Sequence, residues 1–294
     1  MRFAVRAPAK VNLHLRVLGR RPDGYHELRT LFAAVGIVDD LEFEATGTGT
    51  IELAVEPPGV VSAGSDNLVV RAGLALADRF GVAAGARVTL RKRIPIAGGM
   101  GGGSSDAAAT LVGLSAAWEL STGFAELWPL AAALGADVPF FLVGGAAWGV
   151  GTGTEVFPVR DLPPYWLVIV PGAEAVATPA VYQALGAGPL RGAVSDPVYH
   201  FIIAGGELPI ACLANDLEAA VVPGWPAVAA RLEGVRASGA LVARVSGSGG
   251  TVFGLFPDEA GARRAAGSLA DGRVVVVPLL GREASRPVAR VVEE

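Results

Sequence analysis

The chain predicts an α+β fold in two halves, and three observations lead there. Before Pro158, short runs with alternating apolar residues are interleaved with helical patterns. A proline-rich segment, Pro158 to Pro164, then reads as a linker. Beyond it strands and helices alternate, so we expect an N-terminal domain over residues 1–157 and a C-terminal domain over 158–294. A chain of 294 residues is long enough to bury a core in each.

In order along the chain, Val11, Leu13, Leu15 and Val17 alternate with Asn12, His14 and Arg16, the period of a half-buried strand. Lys10, Asn12 and His14 then share one face, roughly 7 Å apart per step. Asp23-Gly24 marks a turn into a second apolar run through Leu31 and Phe32. Leu41–Phe43, Ile51–Val55 and Val88–Leu90 read as further strands. Asn67 to Phe80 reads as a helix with Leu68, Ala72, Ala75 and Arg79 down one side. A clearer helix follows: Ser104, Ser105 and Asp106 offer N-cap chemistry, and Ala107, Leu111, Leu114 and Trp118 recur at helical spacing. Phe124 to Leu134 is a helix stopped by Gly135. In the second half we expect strands at Trp166–Val170, Leu241–Val245, Thr251–Phe256 and Val274–Val277. Helices are expected at Thr178–Leu185, Asp216–Val221, Pro226–Ala237 and Asp258–Leu269.

Composition removes several classes of function. Hydrophobic residues make up 52% and charged residues 18%, which is incompatible with a disordered chain. The net charge is −4 and the longest basic run is Arg91-Lys92-Arg93, which argues against a nucleic-acid grip. Leu127 to Val150 carries Asp137 as its only charge, but Pro129, Gly135, Pro139 and Gly144-Gly145 cut it into pieces too short to span a bilayer. Cys212 is the single cysteine, which excludes an intrachain disulfide and suits a cytoplasmic setting. No His/Asp/Glu cluster has metal-ligand spacing.

The most informative residues are Pro95-Ile96-Ala97-Gly98-Gly99-Met100-Gly101-Gly102-Gly103-Ser104-Ser105-Asp106. Five glycines let the backbone approach a ligand closely, and the following helix points its unsatisfied N–H groups at the same place. Together they form an anion site suited to a polyphosphate. A flexible linker is the alternative, but a linker does not sit between two patterned elements. The run is neither a Walker A loop nor a Gly-x-Gly-x-x-Gly fingerprint.

Two charged residues stand out for chemistry. Asp137, alone in its apolar surroundings, either caps a short helix beginning at Val138 or Pro139 or accepts a proton from a substrate. Lys10 is either a solvated lysine on an edge strand or the cation that partners such a carboxylate. The residues alone leave both choices open.

The glycine run resembles the phosphate loop of the galactokinase, homoserine kinase, mevalonate kinase and phosphomevalonate kinase (GHMP) superfamily, with Met100 where Leu is usual. Pro-Ala-Lys10-Val-Asn12-Leu, Leu-Gly-Ala-Asp137-Val-Pro-Phe-Phe and Asp-Gly-Tyr25-His26-Glu resemble its diphosphocytidyl-methylerythritol kinase branch. That resemblance implies an N-terminal domain like ribosomal protein S5 domain 2, a ferredoxin-like C-terminal domain and an active site between them. It implies ATP held by Pro95 to Ser105 with Asn67 and Lys92 near the adenine, and Mg²⁺ carried with the nucleotide on ligands we leave unassigned. Asp137 would take the substrate's proton and Lys10 would partner it. Tyr25 would stack on a cytosine ring, His26 would hydrogen-bond it, and Tyr182 would close its other side, unless Tyr182 only packs its helix. Asn12 and Thr178 would also contact substrate. A second cluster, Ser246-Gly247-Ser248-Gly249-Gly250, would close over phosphates, while Gly149 to Glu155 receives no role. The implied reaction is ATP-dependent phosphorylation of the 2-hydroxyl of 4-diphosphocytidyl-2-C-methyl-D-erythritol on the non-mevalonate isoprenoid route, by a cytoplasmic monomer or weak homodimer. The alternatives are another kinase of the superfamily, or a non-catalytic ligand sensor with this fold.

Overall fold

The computed structural model describes residues 1–47, 49–172, 174, 176–186, 188, 195–269 and 273–293. The first half comprises β1 (Arg2–Arg20), β2 (His26–Thr46), β3 (Ile51–Glu56), α1 (Leu68–Phe80), β4 (Gly85–Arg91), α2 (Gly102–Ala117), α3 (Phe124–Leu134), α4 (Val138–Val143), β5 (Ala146–Gly151) and β6 (Glu155–Pro158). The second comprises β7 (Trp166–Val170), α5 (Thr178–Leu185), α6 (Pro197–Ala204), α7 (Glu218–Gly224), α8 (Pro226–Ala237), β8 (Val242–Val245), β9 (Val252–Phe256), α9 (Glu259–Ser268), β10 (Val275–Pro278), α10 (Arg282–Ser285) and β11 (Arg290–Val291).

The first sheet runs β11-β1-β2-β4-β3, with β5 joined to β2 and β6 to β5. Only β3 and β4 pair in parallel, with α1 as their crossover. Apolar side chains alternate inward from β2 and β4, so Leu41, Phe43, Val88 and Leu90 meet Leu76 of α1 and Leu111 and Leu114 of α2. Each such leucine contributes about 1.5–3 kcal/mol by leaving water. α2 is buried on nearly every side, which explains its run of alanines and glycines.

The second sheet runs β10-β7-β9-β8, and every pair is antiparallel. Counted within the domain this is order 4-1-3-2, with α9 joining the third strand to the fourth, the expected ferredoxin-like arrangement. Val228 and Leu232 of α8 and Ala262 of α9 cover one face. The other face packs Leu167, Ile169 and Phe253 against Ala9, Val11 and Leu13 of β1, so the two domains share a core.

Four details depart from the sequence expectations. The chain ends on the first sheet, not the second: Phe3 and Ala4 pair with Val291 and Arg290, and the Arg282 guanidinium donates to the carbonyls of Val143, Gly144, Ala146 and Val159. Residues 282–291 are short and polar, and edge hydrogen bonds rather than a hydrophobic pattern decide where they dock. The buried stripe of α1 is Val69, Ala72, Gly73 and Leu76, with Arg79 exposed, one position round from the expected face. Helix α2 starts two residues before Ser104, capped by Gly101 at φ +70°, so Ser104, Ser105 and Asp106 lie inside its first turns. The fourth concerns β1. Its pairing with β2 slips between Asn12 and His14, leaving Leu13 as an extra residue that breaks the alternation of sides.

The apolar region from Leu127 to Val150 is divided among α3, α4 and β5. Among the described residues no helix is long and apolar enough to cross a membrane.

Candidate active site

A cleft of about 890 Å³ opens between the domains. The bulge at Leu13 determines which β1 side chains reach it. Lys10 and Asn12 line the cleft, and after the slip the next to do so is Leu15. His14 faces elsewhere, with Nε2 3.0 Å from Asp196 and Nδ1 accepting from the Ala214 amide. Burial lowers the pKa of this imidazole, against the pull of Asp196. The expectation of Lys10, Asn12 and His14 on one surface therefore fails at its third member.

Lys10 Nζ lies 3.3 Å from Asp137 Oδ2, with the lysine side chain 5% exposed and the carboxylate 33%. Asp137 occupies the residue before α4, but its side chain makes no cap hydrogen bond. Of the two readings left open by the residues, the structure favours the ion pair. Lys10 is aimed by its neighbours: it donates to Asn12 Oδ1 at 2.8 Å, Asn12 Nδ2 donates to Thr30 Oγ1 at 2.8 Å, and Thr30 donates to the His14 carbonyl. Its ammonium also sits 5.5 Å from the centre of the Phe32 ring.

Gly99, Gly101 and Ser104 of the glycine run border the same cleft. The amides of Gly102, Gly103 and Ser104 open α2 and have no intrahelical carbonyl to bond, and no acidic side chain stands in that first turn to neutralise them. Gly101 is required by space as well as by φ, because a Cβ there would lie 2.8 Å from the Phe141 ring and 3.1 Å from Lys10 Cγ. The loop is tied to β1 by Lys10 N donating to the Met100 carbonyl and Ser105 Oγ donating to the Pro8 carbonyl. Lysine and the amides that open α2 are thus held in register with each other.

The remaining expected nucleotide residues are placed differently. Met100 and Ser105 are buried, Pro95 and Gly98 do not border the cleft, and Ile96, Ala97 and Gly103 are exposed. Asn67 caps α1, accepting from Val69 N and donating to the Ser62 carbonyl. Lys92 is buried below the start of α2 and bonds both Asp39 (2.5 Å) and Asp106 (2.7 Å). Burial alone would lower the Lys92 pKa, but the two carboxylates raise it. Asp39 accepts three hydrogen bonds, two of them from the Arg93 and Ile94 amides, whereas among the described residues Asp106 accepts from Lys92 and its buried Oδ1 finds no donor. Burial pushes the Asp106 carboxyl up to about 7, with Lys92 opposing and Asp39 reinforcing.

In the same cleft, His26 and Tyr182 stack with ring centres 4.7 Å apart, and Tyr25 stands at the rim, 67% exposed. Burial lowers the His26 pKa, with help from Arg20. Burial and nearby Asp137 push the Tyr182 hydroxyl up to about 12, so it stays a neutral donor. Thr178 Oγ1 lies 2.7 Å from Ser248 Oγ, joining the start of α5 to the second glycine cluster. Thr30, Arg20, Gln183, Thr152 and Gly153 also line the cleft without having been expected. Thr30 is selected by strand register alone, and Thr152-Gly153 lies in the Gly149–Glu155 segment that carried no reading.

The GHMP kinases N terminal domain family matches residues 67–145, and the GHMP kinases C terminal family matches 210–272. The 4-diphosphocytidyl-2-C-methyl-D-erythritol kinase of Salinispora arenicola is 42% identical over 91% of this chain and 87% of its own. That of Pelotomaculum thermopropionicum is 43% identical over 88% and 91%. A crystal structure of a 4-(cytidine 5'-diphospho)-2C-methyl-D-erythritol kinase superposes with TM-score 0.78 at 38% identity, covering 96% of this chain and all of that one. Homoserine kinase from Cytophaga hutchinsonii shares the fold, with TM-score 0.75 at 19% identity over 98% and 97%. The chain belongs to the GHMP kinase superfamily and, within it, to the 4-diphosphocytidyl-2-C-methyl-D-erythritol kinase family.

Proposed function

We propose that the chain is an ATP-dependent kinase that phosphorylates the 2-hydroxyl of 4-diphosphocytidyl-2-C-methyl-D-erythritol, a step toward isoprenoid precursors on the non-mevalonate route. The observation that carries this is the Lys10–Asp137 pair, 3.3 Å apart in the cleft that the start of α2 also borders. Phosphoryl transfer needs little covalent help; it needs alignment, charge stabilisation and a destination for the hydroxyl proton. Asp137 supplies the destination. Lys10, aimed by Asn12 and Thr30, steadies negative charge on the group in transfer. The amides of Gly102 to Ser104 take the nucleotide's phosphates.

Among the described residues no three His, Cys, Asp or Glu side chains gather to hold a metal. Ser104 and Asp137, which both line the cleft, suit an Mg²⁺ ion that arrives on the nucleotide, where it neutralises phosphate charge. On this reading the stacked His26–Tyr182 pair and Tyr25 form the wall that receives the cytosine. The family likeness supports the roles of Asn12 and Thr178 toward substrate, and a cytoplasmic setting belongs to the same proposal. Lys92 and Asn67 act on the nucleotide through the loop and helix they brace.

The test is a coupled ADP-release assay with the diphosphocytidyl substrate on the natural chain and on Asp137→Asn. A positioned general base is worth roughly 10²- to 10⁴-fold, so kcat should fall by that much while ATP binding persists. Turnover of Asp137→Asn near that of the natural chain would remove Asp137 from the mechanism.

A further inference from the structure

The second glycine-rich turn, Ser246 to Gly250, belongs to the C-terminal domain yet hangs over a lysine that belongs to the N-terminal one. We infer that Asn215 is the positioning residue that sets this turn over the Lys10–Asp137 pair, an inference that rests on the kinase reading above. Asn215 is 5% exposed, and both ends of its carboxamide are engaged. Nδ2 donates to the carbonyls of Val245 (2.9 Å) and Gly247 (2.8 Å), while Oδ1 accepts from the Leu217 amide (3.0 Å). The two carbonyls flank Ser246, so one amide group clips the exit of β8 into a fixed curve.

The curve decides what lies above the lysine. Gly247 has φ +57°, and a Cβ there would stand 3.2 Å from Asn12 Oδ1 and 3.8 Å from Lys10 Nζ. The same glycine is therefore held by Asn215 through its carbonyl and packed onto the catalytic lysine's aiming group. The turn's other side has no slack, since Ser246 Oγ donates to the Gly99 carbonyl and a Cβ on Gly249 would fall 2.5 Å from the Gly98 carbonyl carbon.

The segment that carries Asn215 is in turn stitched to β1. Leu15 N donates to the Ala214 carbonyl, Asp216 N donates to the Leu15 carbonyl, and the Asp216 carboxylate takes Val17 N and Arg16. One short segment thus references the C-terminal turn to the strand that bears Lys10 and Asn12. Asp216 shares this stitching but makes no bond to the turn, which separates the two roles: Asp216 holds the domains, and Asn215 sets the turn.

The experiment compares the full-length chains Asn215→Asp and Asp216→Ala with the natural one, by steady-state kinetics with Mg-ATP and the diphosphocytidyl substrate and by thermal melting. Asn215→Asp keeps the size and the acceptor for Leu217 but points a carboxylate at two carbonyls. Its kcat should fall ~10- to 100-fold near pH 8, the scale of a ~1 Å misplacement at a reacting centre. Burial raises that new carboxyl, and its protonated form restores one donor, so the ratio of its kcat to the natural chain's should climb several-fold from about pH 8 to about pH 6. Asp216→Ala should melt earlier and keep kcat within about twofold. Should Asn215→Asp not fold, Asn215→Gln carries the same test, because its donor sits one methylene too far out and kcat should again drop at least ~10-fold. An unchanged kcat, or a ratio flat with pH in a folded Asn215→Asp, overturns the inference while the kinase reading stands. A natural chain without turnover of this substrate overturns both.

Discussion

Asp106→Asn tests the buried charge cluster under the glycine run. Two carboxylates, Asp39 and Asp106, share one ammonium, Lys92, at a site almost closed to water. Raising the Asp106 carboxyl from its usual 3.8 to about 7 means that ionising it in the fold costs about 4 kcal/mol more than in the unfolded chain. The sign follows from proton binding. Between about pH 4 and about pH 7 the folded chain holds a proton on Asp106 that the unfolded chain has lost, so stability falls as pH rises across that window. Asparagine keeps an oxygen for Lys92, leaves Lys92 with Asp39 as its single charged partner and removes the titration. Urea unfolding of both chains at a series of pH values gives the difference directly, and titrating groups outside the cluster cancel in it. The variant should gain on the natural chain as pH rises from about 4 to about 7, by up to about 4 kcal/mol, with most of the gain present at neutrality. A difference that stays constant across that range, or one that grows toward acid, would refute this account of the cluster.

Two further expectations concern the loop and the aromatic wall. Gly101→Ala forces an L residue to φ +70° and drives a methyl group to 2.8 Å from the Phe141 ring; we expect a loss of ~2–5 kcal/mol in urea unfolding and a reduced kcat, and a loss under about 1 kcal/mol would contradict the geometry. Tyr182→Ala removes the ring stacked on His26 at 4.7 Å; a stacking partner worth ~1–3 kcal/mol predicts roughly a 5- to 150-fold higher KM for the diphosphocytidyl substrate and an unchanged KM for ATP. Equal effects on the two KM values would place the aromatic wall outside the base site.

Where local chemistry decides the outcome, the sequence alone was sufficient. A glycine run leading into a patterned helix can do little besides bring backbone amides to a small space, and that loop and helix are found there, with the helix beginning two residues earlier, at Gly102. Strand alternation placed Lys10 and Asn12 on one face, and the family resemblance implied the ferredoxin-like second sheet. The motif around Asp137 singled out that carboxylate, while its side-chain direction, toward Lys10 rather than onto its own helix, required the two strings to be folded together.

The rest was decided by tertiary structure, because it depends on pairs of residues far apart in the chain. A single unpaired residue, Leu13, turns His14 from the cleft toward Asp196, and no pattern within β1 marks where the register slips. Thr30 becomes Lys10's second support only through that register. Lys92, matched through the family resemblance to a place near the adenine, is found bonded to Asp106 and Asp39 once α2 and β2 bring them against it. The last strand pairs with β1 of the first sheet, a long-range contact that no short polar segment can announce. Periodicity and glycine content act over a few residues and survive in the sequence; register, burial and charge pairing exist only once distant segments meet.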